Sequence, residues 1–388
     1  METAAKPAPV SAPVESKPIP VPVLLLTMLK VSPKISDLIM SPGSHPVVEL
    51  SGKLMPVKIS GTAPLTPADT HRIAYEMIGD NKQAEESLRT HGSCDFSYRL
   101  PGHCRFRVNV FQQRGSHAIV MRVIAQVIPS FDDLHLPPQL GEIVDLRNGI
   151  VLVTGPTGSG KSSTLAAVLD RINDVHAYHI LTIEDPIEFM HRHKRSIVHQ
   201  RELHSDTPTF ALALRAALRQ APKVILVGEM RDKETIETAL EAAETGHLVL
   251  STLHTIDASK TVERIVGVFP MAEQHTIRNR LAKSFRFIVS QRLLPRKDGN
   301  GRVAIIEILK STLRTREYVE KGEQDGKTLL EAMQAGDTEG MQHFDGEIEK
   351  LVRADIVDVD TGLAYATNPG NLRLILGDLG SSHREEES

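Results

Sequence analysis

From Gly141 onward, short apolar runs alternate with longer stretches in which apolar residues recur every three or four positions. Ile150–Thr154, Ile180–Glu184, Val224–Val227 and Leu248–Thr252 are rich in β-branched residues and leucine, the pattern of strands buried on both faces. After the first of them, Leu165, Val168, Leu169 and Ile172 keep helical spacing. Strands alternating with helices predict a parallel sheet covered by helices on each side, an α/β fold.

The pattern before Gly141 is different. A helix is predicted over Leu24–Val31, a hairpin over Val47–Leu54 around Ser51-Gly52-Lys53, and a helix over Thr66–Ile78. Thr66 is placed to cap that helix, with Pro67 in its first position and Asp69 in its first turn. Two strand-like runs, Cys104–Gln112 and Ala118–Val127, meet at Arg114-Gly115-Ser116. Meandering strands with few helices define a small α+β domain over residues 24–128. Residues 129–141 hold three prolines and read as a linker, and 142–370 read as the α/β domain. Past Arg302 the chain turns helical and polar, with helices expected at Lys327–Ala335 and Asp345–Ala354. Residues 1–23, with Pro7, Pro9, Pro13, Pro18, Pro20 and Pro22, are expected to be a disordered tail, and 371–388 a flexible one.

Composition narrows the class. The 388 residues are long enough for two cores, and 24% charged content is ordinary for a soluble protein. Cys94 and Cys104 fit neither a disulfide framework nor a zinc site, which points to a reducing, cytoplasmic setting. A net charge of −4 argues against a nucleic-acid partner. The first residues contain Glu2 and Glu15 and no unbroken apolar core, so they do not read as a secretion signal. No apolar run reaches membrane-spanning length, so membrane contact is expected only through partners.

The chemistry sits at the strand ends. Gly155, Pro156, Thr157, Gly158, Ser159, Gly160, Lys161 and Ser162 form a complete phosphate-binding loop, followed by Ser163. It lies between a strand and a helix, as it must: glycines let backbone N–H groups wrap phosphate, and the helix N-terminus favours its charge. Lys161 is placed to reach the β- and γ-phosphates of ATP, and the Ser162 hydroxyl to hold Mg²⁺.

Three further boxes follow. In Thr182-Ile183-Glu184-Asp185-Pro186, the proline stops the strand and leaves Glu184 and Asp185 at its carboxyl end, where α/β sheets bind ligands. Val224–Val227 is followed by Gly228 and Glu229, an apolar strand ending in an acid that can face Mg²⁺ or the attacking water. Gly246–Thr255 carries two histidines. His254, just past its strand, is placed to sense the γ-phosphate, whereas His247 opens the strand further away. A lone acid after an apolar run is often only a helix cap. Two such runs in order behind a phosphate loop favour a site. His191-Arg192-His193-Lys194-Arg195 lacks metal-ligand spacing and reads as a solvated basic turn.

As a set, the loop, the acidic boxes at 182–189 and 225–232 and the histidine box at 246–255 resemble the secretion-motor ATPases of type IV pili and type II secretion. Within them the chain is most similar to the pilus-retraction ATPase family. Arg105–Asn109, Gln113-Arg114-Gly115, Gln291–Pro295, Gln334-Ala335-Gly336 and Gly340-Met341 match as well, over about residues 30–375. The resemblance implies a PAS-like N-terminal domain, a RecA-like ATPase domain and a homohexameric ring with ATP between the domains. It implies that Arg107 and Arg122 reach the γ-phosphate from the N-terminal domain. The implied partners are an inner-membrane platform protein at the pilus base and a paralogous pilus ATPase. The chain departs in three places: Ser311–Arg316 replaces the family's Ala-Ile-Arg-Asn-Leu motif with only Arg314 kept, Ala221-Pro222-Lys223 replaces its Asp-Pro-Asp, and the proline-rich tail is additional. That leaves open an accessory retraction paralogue or a related secretion ATPase, while a RecA-like nucleic-acid translocase is the rival of another class.

Overall fold

The structure is a computed structural model and describes residues 19–50, 52–59, 63–124 and 127–377. Residues 1–18 and 378–388, most of the two expected tails, lie outside the described residues, as does Ser51 of the expected hairpin. The chain divides into two compact units between Ala125 and Gln126.

In the first unit, α1 (Val21–Leu29) precedes β1 (Ile35–Met40) and a hairpin of β2 (Val47–Leu50) and β3 (Lys53–Pro56). Next come α2 (Pro67–Ile78), α3 (Lys82–His91) and a meander of β4 (Ser93–Leu100), β5 (Cys104–Gln113) and β6 (Ser116–Ile124). Helix α1 begins inside the stretch expected to be a tail, because a proline in the first turn is no obstacle to a helix and Val21, Leu24, Leu25 and Met28 bury one face. Helix α2 starts as expected: Thr66 accepts from the Asp69 amide, and the Asp69 carboxylate accepts from the Thr66 amide at 2.9 Å. Arg114 and Gly115 both have positive φ, the turn that matches the twist of the β5–β6 hairpin. The sheet runs β3-β2-β1-β6-β5-β4 with antiparallel neighbours. Its core gathers Leu25, Leu38, Ile73, Leu88, Phe106 and Met121.

The second unit begins with β7 (Gly149–Thr154), α4 (Lys161–Val175), β8 (His179–Glu184), β9 (Ile197–Glu202), α5 (Phe210–Ala217) and β10 (Val224–Val227). It continues through α6 (Lys233–Glu244), β11 (Leu248–Leu253), α7 (Ala258–Gly267), α8 (Met271–Ser284), β12 (Phe285–Pro295) and β13 (Arg302–Lys310). Five helices follow: α9 (Leu313–Lys321), α10 (Leu329–Gln334), α11 (Phe344–Arg353), α12 (Val359–Tyr365) and α13 (Pro369–Ile375). The sheet order is β13-β12-β7-β11-β10-β8-β9, parallel throughout except for β12 against β13. Along β7, Ile150 and Leu152 face the core under α6, α7 and α8, while Val151 and Val153 face that under α4. This alternation lets one strand serve two layers.

Three expectations are corrected. Residues 129–141 are not a free linker: Phe131, Leu136 and Leu140 pack into the core beside Leu165 and Leu169 of α4, and Arg171 lies 4.9 Å over the Phe131 ring. The prolines there shape the path of a docked segment. The chain past Arg302 first forms β13, pairing with β12, before it turns helical. Finally, α13 covers residues expected to be flexible, anchored by Leu372. Among the described residues no helix is long and apolar enough to cross a membrane.

Buried polar groups tie β12 to the end of β7 and β13 to the start of α7. Thr154 Oγ1 donates to Ser290 Oγ at 3.2 Å, and Glu307, 2% exposed, accepts from the Ala258 amide at 2.9 Å. Burial pushes the Glu307 carboxyl up to about 7, with Asp257 adding to the effect and the Ala258 amide and Ser290 opposing it. An unfolded glutamate titrates near 4.3, so between about 4.3 and 7 only the native state holds this proton. Stability therefore falls as pH rises through that window, by roughly 3 kcal/mol from this group. Glu307→Gln keeps the acceptor without the charge. Denaturant melts at pH 5 and pH 8 should show the mutant gaining on wild type by about that amount at the higher pH. An equal pH dependence in both proteins would show that Glu307 does not titrate in this range.

Candidate nucleotide-binding site

The phosphate loop leaves β7 at Thr154 and enters α4 at Lys161. Gly155 has φ +143°, and a Cβ there would lie 2.3 Å from the Gln291 carbonyl oxygen. Only glycine fits both the conformation and the space. Lys161 folds back over the loop, its Nζ donating to the carbonyls of Gly155 at 2.8 Å and Pro156 at 3.1 Å. Burial draws its pKa below the ordinary lysine value, while the charges of Glu229 and Glu188 oppose that shift. Ser162 is exposed at the helix start, Ser163 is half-buried, and Pro156, Thr157 and Gly158 are exposed on the loop. Ser159 is 3% exposed and its hydroxyl has no hydrogen-bond partner. An orphaned hydroxyl and a lysine resting on carbonyls inside a helix N-terminus fit a phosphate group.

Because the strands are parallel, β8, β10 and β11 deliver their C-terminal residues to the same edge. Gly228 brings β10 close to β8: its amide donates to the Ile183 carbonyl at 2.7 Å, and a Cβ there would meet Glu184 Cα at 3.3 Å. Close packing, with no positive φ, is thus the reason for glycine before Glu229. Ser251 and Thr252 cinch β11 to β10 through hydrogen bonds to the carbonyls of Val227, 2.7 Å, and Gly228, 2.6 Å.

Glu229 and His254 come together there. The Glu229 carboxylate takes Arg231 Nη2 at 2.6 Å and stands 3.6 Å from His254 Nε2. Burial and the Lys161 charge lower the pKa of His254, and Glu229 opposes them. A cleft of about 320 Å³ opens beside this group, lined by Glu229, Arg231, Thr252, His254 and Arg264 among others. Glu184 has neutral partners instead: Thr182 Oγ1 donates at 2.6 Å and Gln200 Nε2 at 3.1 Å, and burial raises its pKa. Asp185 is exposed beside it. The hydroxyl of Ser162 and the carboxylate of Glu229 are of the hard-oxygen type that Mg²⁺ prefers. Among the described residues no cluster of three His, Cys, Asp or Glu could hold a metal ion by itself.

Arg107 and Arg122 belong to the first unit, where they are cross-strand partners on β5 and β6 and both exposed. Arg122 Nε donates to the buried carboxylate of Asp37 on β1 at 3.0 Å, which holds the guanidinium in place. His247 lies at the far end of β11, its Nδ1 2.9 Å from the Ala242 carbonyl. In the basic turn Lys194 pairs with Asp170 and Asp174. Sequence reasoning missed Arg231, Arg264 and the contact of Gln291 with the loop. Arg231 lies inside the acidic box at 225–232 but carries no spacing signal of its own.

A phosphate loop feeding a helix, with an acid and a histidine from neighbouring parallel strands at the same edge, defines a P-loop nucleotide-binding protein of the α/β class. The profile of the type II/IV secretion system protein family matches residues 80–346, and the chain belongs to that family. It is 43% identical to the type IV pilus retractation ATPase PilT of Pseudomonas aeruginosa over 338 residues, 87% of this chain and 95% of that one. It is 48% identical to the twitching motility protein of Neisseria gonorrhoeae over 274 residues, 71% of this chain and 73% of that one. The crystal structure of the pilus retraction motor PilT with bound ADP is similar with a TM-score of 0.80 at 41% identity, covering 90% of this chain and 98% of that one.

Two glycines separate loop geometry from general packing. Gly155→Ala should cost about 3 kcal/mol or more in denaturant melts, since it combines a disallowed φ with overlap against a backbone carbonyl. Gly267→Ala, at the end of α7 with open space around it, should be neutral or stabilise by up to about 1 kcal/mol. A tolerated alanine at Gly155 would mean that the loop and β12 are not in contact.

Proposed function

We propose that this chain is an ATP-hydrolysing motor that assembles as a homohexamer at the inner-membrane base of a type IV pilus and drives pilus retraction. The observation that carries the reading is the meeting of Glu229, Arg231 and His254 at the sheet edge that holds the phosphate loop. The similarity to pilus retraction motors over nearly their whole length supports the mechanical part.

Bound MgATP supplies the phosphoanhydride bond whose cleavage releases the energy. Lys161 exchanges its loop carbonyls for the β- and γ-phosphate oxygens, neutralising charge where it accumulates. Ser162 offers its hydroxyl to the metal. Glu229 orients and polarises the attacking water and takes its proton. Glu184 and Asp185 support that end of the site, and His254 reports on the γ-phosphate through Glu229. Arg107 and Arg122 are the cations we assign to the charge that grows on the γ-phosphate in the transition state. Conformational change on each cycle couples hydrolysis to mechanical work.

The segment that departs from the family motif, Ser311–Arg316, forms the capped start of α9, where Thr312 accepts from the Thr315 amide and Leu313 is 86% exposed. It lies outside every nucleotide box, so the chemistry does not depend on it. An accessory role beside a paralogous pilus ATPase is the second reading this departure favours.

Glu229→Gln tests the chemistry. ATP turnover by the purified protein should fall by roughly 10²–10⁴ while nucleotide affinity stays close to wild type. Turnover near the wild-type rate would make Glu229 structural and transfer its role to Glu184. Twitching zones of a deletion strain complemented with either protein test the output. Restored motility with wild type alone is expected, and full motility in the deletion strain would leave only the accessory reading.

A further inference from the structure

Strand β12 runs beside β7 up to the phosphate loop, and two consecutive residues at that end make the contacts. Ser290 bonds to Thr154, the residue before the loop, at 3.2 Å. The backbone carbonyl of Gln291 occupies the space a side chain on Gly155 would need. Its side-chain Nε2 stands 3.0 Å from where a Cβ on Gly160 would lie. Its Oε1 accepts a hydrogen bond from Thr164 Oγ1, one turn into α4, at 2.9 Å. Gln291 is 4% exposed and Thr164 1% exposed, so this amide and hydroxyl are buried against the loop.

A single residue therefore meets the first glycine of the loop, its last glycine, and the first turn of the helix. Between those points lie Lys161 and Ser162. A glycine-rich loop loses much conformational freedom when it closes on phosphate, and a loop already held in shape loses less on binding. Stability alone does not call for an amide here, because a well-packed apolar side chain of the same volume serves a core as well.

We propose that Gln291 is a positioning residue for the nucleotide: it holds the phosphate loop and the start of α4 in the binding geometry through Thr164 and the two loop glycines. The inference rests on the reading of this edge as an ATP site. It acts through Lys161 and Ser162, so its loss should appear in nucleotide affinity and KM more than in folding.

The test uses the full chain with Gln291→Met, which keeps volume and loses the hydrogen bond to Thr164, Thr164→Val, and the double variant. Thermal melts, titration with a fluorescent ADP and steady-state ATPase kinetics are read on each. Each single variant is expected to raise the ADP dissociation constant and the KM for MgATP about tenfold, with kcat changed far less. The double variant should be no worse than either single one, since both remove the same bond. Unchanged affinity in folded variants overturns the inference, as do losses that simply add. A lowered melting temperature with KM intact makes Gln291 a packing residue only, which also overturns it. Should Gln291→Met fail to fold, Thr164→Val carries the comparison with Gln291 in place. Wild-type protein that binds no nucleotide overturns the ATP-site reading together with this one. Wild-type binding with unaltered variants overturns this one alone.

Discussion

The close approach of β12 to the end of β7 is the contact on which the rest of the site depends. A Gly155 side chain has no room beside the Gln291 carbonyl, so the loop must turn there in a conformation only glycine adopts. That turn aims α4 at the loop and buries Lys161 above its carbonyls. Because β7 lies between β12 and β11 in a parallel sheet, everything presented by β11, β10 and β8 arrives at the same edge. One backbone constraint thus sets the position of several charged groups.

The three acids near this edge differ in what surrounds them. Glu229 has Arg231 and the His254 ring in contact and the Lys161 charge nearby. Glu184 is held by a threonine hydroxyl and a glutamine amide, and Glu307 by a backbone amide and a serine, with burial raising the pKa of each. Environments that separate otherwise equal carboxylates are how one site assigns different tasks to them. Glu229 is the one held against an arginine at the cleft, whereas Glu184 and Glu307 brace strand ends and a helix start. In the first unit Asp37 does related work on Arg122, fixing an exposed guanidinium that would otherwise sample many rotamers.

Much of this was legible in the sequence, for physical reasons that differ by element. Strands β7, β8, β10 and β11 are dominated by apolar residues because both their faces are covered, and such runs stand out. The phosphate loop is written in consecutive residues. Strand β12 was hidden because Arg286, Ser290, Gln291 and Arg292 interrupt its apolar pattern, and each has a specific partner: Asn148, Thr154, Thr164 and Phe344. Residues 129–141 were misread because proline spacing outweighed Phe131, Leu136 and Leu140. Order along the chain also could not say which boxes converge. Glu229 and His254 lie 25 residues apart in sequence and 3.6 Å apart in space, whereas Glu184 and Asp185 are neighbours of which only the first has buried partners.

The central claim, that the carboxyl edge around Gly155–Ser163 is a nucleotide site shared by β10 and β11, is tested most directly by amide hydrogen exchange of the purified protein with and without MgADP. Protection is expected in the loop and the first turn of α4, and in the segments around Glu229 and His254, with the outer strand β9 unchanged. Protection confined to the first unit, or no change in the loop at saturating nucleotide, would contradict it.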